Sequence, residues 1–87
     1  MLDRVKKAIP LKSDYYDDVI ESLIASAIID LGIVGVHVDR DSADAIETQA
    51  IATYVKMNFA DPTNYADLKS AYDELKAQLI TARGYGL

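Results

Sequence analysis

Apolar residues recur at spacings of three and four through residues 14–31, and few folds accommodate that pattern. Tyr16, Ile20, Ile24 and Ile28 form one ladder; Val19, Leu23, Ala27 and Leu31 form the ladder beside it. On a helix of 3.6 residues per turn the two ladders merge into one wide apolar stripe, which other elements must cover. The period returns twice. Ile46, Ala50, Thr53, Tyr54 and Met57 share a face that Ile51, Val55 and Phe59 widen. Tyr65, Leu68, Tyr72, Leu75 and Leu79 alternate steps of three and four, over too few heptads for a coiled coil. Leu2, Val5 and Ile9 give a shorter match. The pattern predicts an all-α protein, a small bundle of about four helices, one short and N-terminal and three longer.

Helix signals set the expected boundaries. The first helix covers Leu2 to Ile9 and stops at Pro10, because proline disfavours a helical residue before it. The second runs from Asp14 to Leu31, with Ser13 or Asp14 as N-cap and Gly32 as the residue that ends it. Ile33 to Val38 reads as an extended loop, able to pair an edge locally, since Val34, Val36 and Val38 alternate with Gly35 and His37. The third helix runs from Ser42 to Phe59, capped by Asp41 with Asp44 at the third position. Its two apolar faces predict a central place. Asp61 before Pro62, or Asn64 with Asp67, opens the fourth, which ends near Ala82. Residues 1–82 thus form one helical domain, and residues 83–87 a flexible tail.

A chain of 87 residues with 51% apolar content packs a core, but a thin one, and oligomerisation is a usual remedy. There is no cysteine, so disulfides and thiolate-bound zinc are excluded, which fits synthesis inside a cell. No apolar run reaches membrane-spanning length. Met1-Leu2-Asp3-Arg4 turns charged at once, unlike a signal peptide.

Net charge is −5 and unevenly spread. Residues 1–12 sum to +3, residues 13–47 to −8 and residues 48–87 to zero. A basic footprint for nucleic acid is missing. The asymmetry suits contact between one copy's basic start and another's acidic middle. The candidates are Arg4, Lys6 and Lys7 on one side, and Asp17, Asp18, Glu21, Asp39 and Asp41 on the other.

No catalytic, cofactor or metal site is assigned. Asp39, Asp41 and Asp44 suggest a calcium loop, but Ala43, Asp44 and Ala50 occupy positions that need a ligand, a glycine and a bidentate glutamate. They read as helix caps. His37 has no second histidine or cysteine to share a metal with. The glycines follow a helix where a phosphate cradle must open one. Tyr16, Tyr54, Tyr65 and Tyr72 sit at core spacing, as tyrosines at a core edge do.

Five segments, in order, resemble the head–tail connector (DNA-packaging adaptor) family of long-tailed bacteriophages. Leu2-Asp3-Arg4-Val5-Lys6-Lys7-Ala8 looks like its first helix, and Tyr16-Asp17-Asp18-Val19-Ile20-Glu21-Ser22-Leu23-Ile24 like its acidic-start second. Asp30-Leu31-Gly32-Ile33-Val34-Gly35-Val36 is similar to the exit that follows. Ile51-Ala52-Thr53-Tyr54-Val55-Lys56-Met57-Asn58-Phe59 and Tyr72-Asp73-Glu74-Leu75-Lys76-Ala77-Gln78-Leu79 resemble the last two helices. The resemblance implies a non-enzymatic virion protein, made in the bacterial host's cytoplasm, that forms a homo-oligomeric ring under the portal protein. It also implies tail-completion proteins as partners and DNA passing through without specific binding. No cofactor, membrane or small-molecule substrate enters. The tail residues Arg83, Tyr85 and Leu87 are candidates for docking on a neighbouring protein. Another reading of the same patterns is a small helical protein–protein interaction or regulatory module, which predicts an apolar groove and a stable monomer.

Overall fold

The computed structural model describes residues 1–9, 14–59 and 63–82. These form four helices: α1 (Leu2–Ala8), α2 (Asp17–Ile33), α3 (Ala45–Asn58) and α4 (Tyr65–Ala82). The all-α expectation holds. Helix α3 packs against each of the other three, and α1 also touches α2.

One core follows. Helix α2 contributes Ile20, Ile24, Ala27 and Leu31, and α3 contributes Ala50, Ile51, Ala52, Val55 and Met57. Val5 of α1, Tyr72 and Leu79 of α4, and Val36 of the connecting loop close it. The steps of four, three and four along α2 keep one face inward. That face is narrower than the sequence stripe. Tyr16 and Val19 were expected in the core ladders, yet both are exposed, as are Ile29 and Ile33. Ile46 and Tyr65 also lie outside. Helix α2 is covered on one side only, so the outer part of its stripe has no partner within the described residues.

Three boundaries differ from expectation, each for a physical reason. Helix α2 starts at Asp17, after a turn in which the Asp17 N–H donates to the Asp14 carbonyl at 3.2 Å. Asp14 does not cap it, because its carboxylate binds Lys6 at 2.9 Å. Pro10 and Ser13 lie outside the described residues, but Ile9, next to the proline, is extended as that position requires.

Helix α2 also runs past Gly32. The residue that ends it is Gly35, at φ 89°, where a side chain would be strained. The Val36 N–H donates to the Leu31 carbonyl at 2.9 Å and the Gly35 N–H to the Gly32 carbonyl at 3.0 Å. This Schellman pair places Val36 beside Leu31, both fully buried. Among the described residues no strand forms: after the turn at Val34 and Gly35 the loop has no edge to pair with.

Helix α3 begins at Ala45, three residues after the expected start. Its cap is Asp44, not Asp41. The Glu47 N–H donates to Asp44 Oδ1 at 2.8 Å, and the Asp44 N–H donates to Glu47 Oε1 at 2.9 Å. This capping box explains why Glu47 is a buried acid. The longer glutamate reaches back where Asp44, three residues after Asp41, would not. Helix α4 takes the later of its two expected starts, with the Leu68 N–H bound to the Asn64 carbonyl at 3.0 Å; Asp61 and Pro62 lie outside the described residues.

Candidate interaction surfaces

The basic start and acidic middle meet first inside the chain. Lys6 Nζ lies 2.9 Å from Asp14 and 2.8 Å from Asp17, and its side chain is 14% exposed. The hydrogen bonds that Lys6 donates to Asp17 and Asp14 hold its ammonium above the usual lysine value. Glu21 pairs with Arg40 at 2.9 Å. The Asp41 N–H donates to Asp39 Oδ1 at 2.9 Å, which closes the turn before α3. Of the expected contact residues, Lys6, Asp17 and Glu21 therefore have ion-pair partners at home. Lys7, Asp18 and Asp41 are exposed, with no ion-pair partner among the described residues. Arg83, Tyr85 and Leu87 lie outside the described residues.

A groove of about 660 Å³ runs between α1 and α3. Ala8, Ala43, Ala45 and Ala52 give it small-residue walls. Arg4, Lys7 and Lys56 line it with positive charge, and Thr48, Gln49 and Thr53 add polar atoms. Arg4 Nη1 donates to the Ala43 carbonyl at 3.0 Å, so neutral groups fix its place. No carboxylate among the described residues pairs with any of the three cations. The Thr53 hydroxyl already donates to the Gln49 carbonyl at 2.8 Å. Such a surface can accept an apolar ridge with a negatively charged end.

A second surface is the uncovered side of α2. Val19, Ile29 and Ile33 are 48%, 66% and 77% exposed. Ser22 and Ser26 sit between them, and the Ser26 hydroxyl donates to the Ser22 carbonyl at 3.0 Å. At the aminoterminal end, Tyr15 stacks edge-on to Tyr16 at 4.8 Å, and Tyr16 meets Phe59 at 5.4 Å.

Sequence reasoning missed one polar cluster. The Tyr72 hydroxyl of α4 donates to Asp30 Oδ2 of α2 at 2.5 Å, and Lys76 Nζ reaches the same oxygen at 3.2 Å. Lys76 lies 5.1 Å from the centre of the Tyr72 ring, which meets Tyr54 of α3 at 5.4 Å. Partial burial pushes the Asp30 carboxyl up, but the Tyr72 hydroxyl and Lys76 outweigh it and hold it below its ordinary value. Burial and the neighbouring carboxylate push the Tyr72 phenol up. Asp30 is the lone charge in the apolar run from Leu23 to Val36, and that isolation was its signal in the sequence. The cluster joins three helices, and Asp30 and Tyr54 also border a shallow pocket of about 280 Å³ with Ser26, Ile29 and Ile33; its evident work is to hold α4 to α2.

No curated protein and no solved structure matches the chain. The sequence model of one family, described as phage connector protein, matches residues 1–86. That span takes in all four helices, the groove and the outer side of α2, and the chain belongs to the phage connector protein family, whose members are structural parts of the virus particle.

Proposed function

We propose that the chain is a head–tail connector that docks as a ring under the portal protein, extends the DNA channel and lets the tail attach after genome packaging. The family match over residues 1–86 carries this reading. Physical features support it. A ring through which DNA moves must not hold phosphates tightly, and a chain of net charge −5 meets that need. A closed ring needs two different patches per protomer, because its contacts run head to tail. The α1/α3 groove and the outer side of α2 are two such patches, each lacking a partner within the described residues. The tail, residues 83–87, adds a third contact in this proposal, toward portal or tail-completion proteins.

Electron microscopy of the purified protein, with and without portal, tests the proposal. Rings alone or rings on the portal are expected. A protein that stays monomeric and fails to co-sediment with portal overturns it. The same preparation should leave double-stranded DNA unshifted in a gel at physiological salt, and micromolar binding would contradict the free passage of DNA.

A further inference from the structure

The ring reading leaves open which surfaces meet, and the side chains of α1, α2 and α3 answer that. We infer that the outer ridge of α2 on one copy inserts into the α1/α3 groove of the next. The inference rests on the ring reading.

Shape is the first argument. The ridge carries Val19, Ile29 and Ile33, with the small Ser22 and Ser26 between them, while the groove presents alanines at four positions. Large side chains against small ones allow close approach of two helices. The ridge from Val19 to Ile33 is about 21 Å long at the rise of a helix, and the α3 wall from Ala45 to Lys56 about 16 Å, so the ridge can fill the groove.

Polar satisfaction is the second. Burial of hydroxyls without partners would oppose docking. The Ser26 hydroxyl of the ridge and the Thr53 hydroxyl of the groove are each bonded to a carbonyl of their own helix. Both surfaces can lose water without orphaning these groups.

Charge is the third, and it selects the occupant. The chain is acidic overall, yet Arg4, Lys7 and Lys56 line the groove without an ion-pair partner among the described residues. Asp18, exposed and without an ion-pair partner there, stands at the start of the ridge beside Val19. A second copy thus brings an apolar ridge and a carboxylate to a groove with alanine walls and cationic sides. Ridge and groove share no residue, so one copy can use both at once, as a head-to-tail ring requires.

The chain has no cysteine, which makes cross-linking clean. Ile29→Cys and Gln49→Cys change exposed positions, one on the ridge and one on the groove. Each variant is purified, checked for helicity, and treated with a short bis-maleimide alone and mixed, with portal present. Sedimentation of the same samples reports association. A covalent dimer in the mixture and not in either variant alone is expected. Cross-linking of Ile29→Cys to itself indicates a two-fold contact and overturns the inference. Association without a cross-link in the mixture overturns this pairing of surfaces and leaves the ring standing. Absence of any association, with portal present, overturns the ring and the pairing together. In parallel, Ile29→Asn with Ile33→Asn should leave the monomer folded and weaken self-association by about tenfold or more, since two apolar side chains lose their burial and no charge is added. Undiminished association would also overturn the pairing.

Discussion

Both sides of α2 carry large apolar residues, with Ser22 and Ser26 interrupting the outer one, and the two sides differ sharply in the fold. Ile20, Ile24, Ala27 and Leu31 have no contact with water. Val19, Ile29 and Ile33, on the same helix, are about half or more exposed. The difference lies in what stands opposite. Helices α1 and α3 cover the inner side, while α4 packs mainly on α3 and reaches α2 through the Asp30 cluster. Hydrophobic periodicity reports that a face needs cover; it does not report whether the cover comes from the same chain. In the proposed ring, the surplus stripe is where the second copy docks.

Truncation separates the two sides most sharply. Ile24→Ala should destabilise the fold by about 2–5 kcal/mol, because it removes buried methyl groups and leaves a cavity. Ile29→Ala should stay within about 0.5 kcal/mol of the parent in urea unfolding, as surface changes do, and should lower self-association instead. If Ile29→Ala unfolds as readily as Ile24→Ala, the outer side is not a surface.

The polar link from α2 to α4 comes next. Tyr72→Phe removes a hydrogen bond to a carboxylate and should cost about 1.5–3 kcal/mol. The link also has a pH signature. The folded Asp30 carboxyl titrates below its ordinary value of 3.8. Its contribution is therefore complete above that value and is lost as pH falls through the lower folded one. Acid titration followed by circular dichroism should show this loss in the parent and a weaker one in Tyr72→Phe. An identical acid limb in both would mean that Tyr72 does not set the charge state of Asp30.

Helix ends give smaller effects. Asp44→Ala should cost about 1 kcal/mol by loss of the N-cap, whereas Asp41→Ala should cost less, since Asp41 caps nothing. The two glycines near the end of α2 should move in opposite directions. Gly32 is helical and has nothing within 4 Å of an added Cβ, so Gly32→Ala should stabilise by about 0.5–1 kcal/mol. Gly35→Ala should destabilise by about 1–2 kcal/mol, the cost of a left-handed residue with a side chain. Thermal melts of the pair check both signs.

These particulars mark what could be read from the sequence. The four helices and the central place of α3 follow from periodicity alone. The starts of α2 and α3 do not. Asp14 is a sound cap by type, but Lys6 from another helix takes its carboxylate. Asp41 and Asp44 are equally good by type, and only the reach of Glu47 decides between them. Gly32 and Gly35 are alike until the chain turns. The groove cations Arg4 and Lys7 were expected in a contact, but Lys56, from a charge-balanced stretch, joins them only through folding. Lys6, expected beside them, is bound to α2, so charge reversal there would disturb the monomer as well. Lys7→Glu is the cleaner test of that side.

The packing of α3 against every other helix also has a consequence in time. Helices α1 and α4 lean on it from different sides, so either can loosen while the rest persists, but α3 cannot open until its neighbours have let go. Amide protons of Ala50 to Val55 should therefore be the last to exchange with deuterium, and those of α1, a helix of 7 residues, among the first. In the proposed ring, a subunit of this design frays at its margins while it docks and still keeps its register, because the element that defines the register is expected to open last.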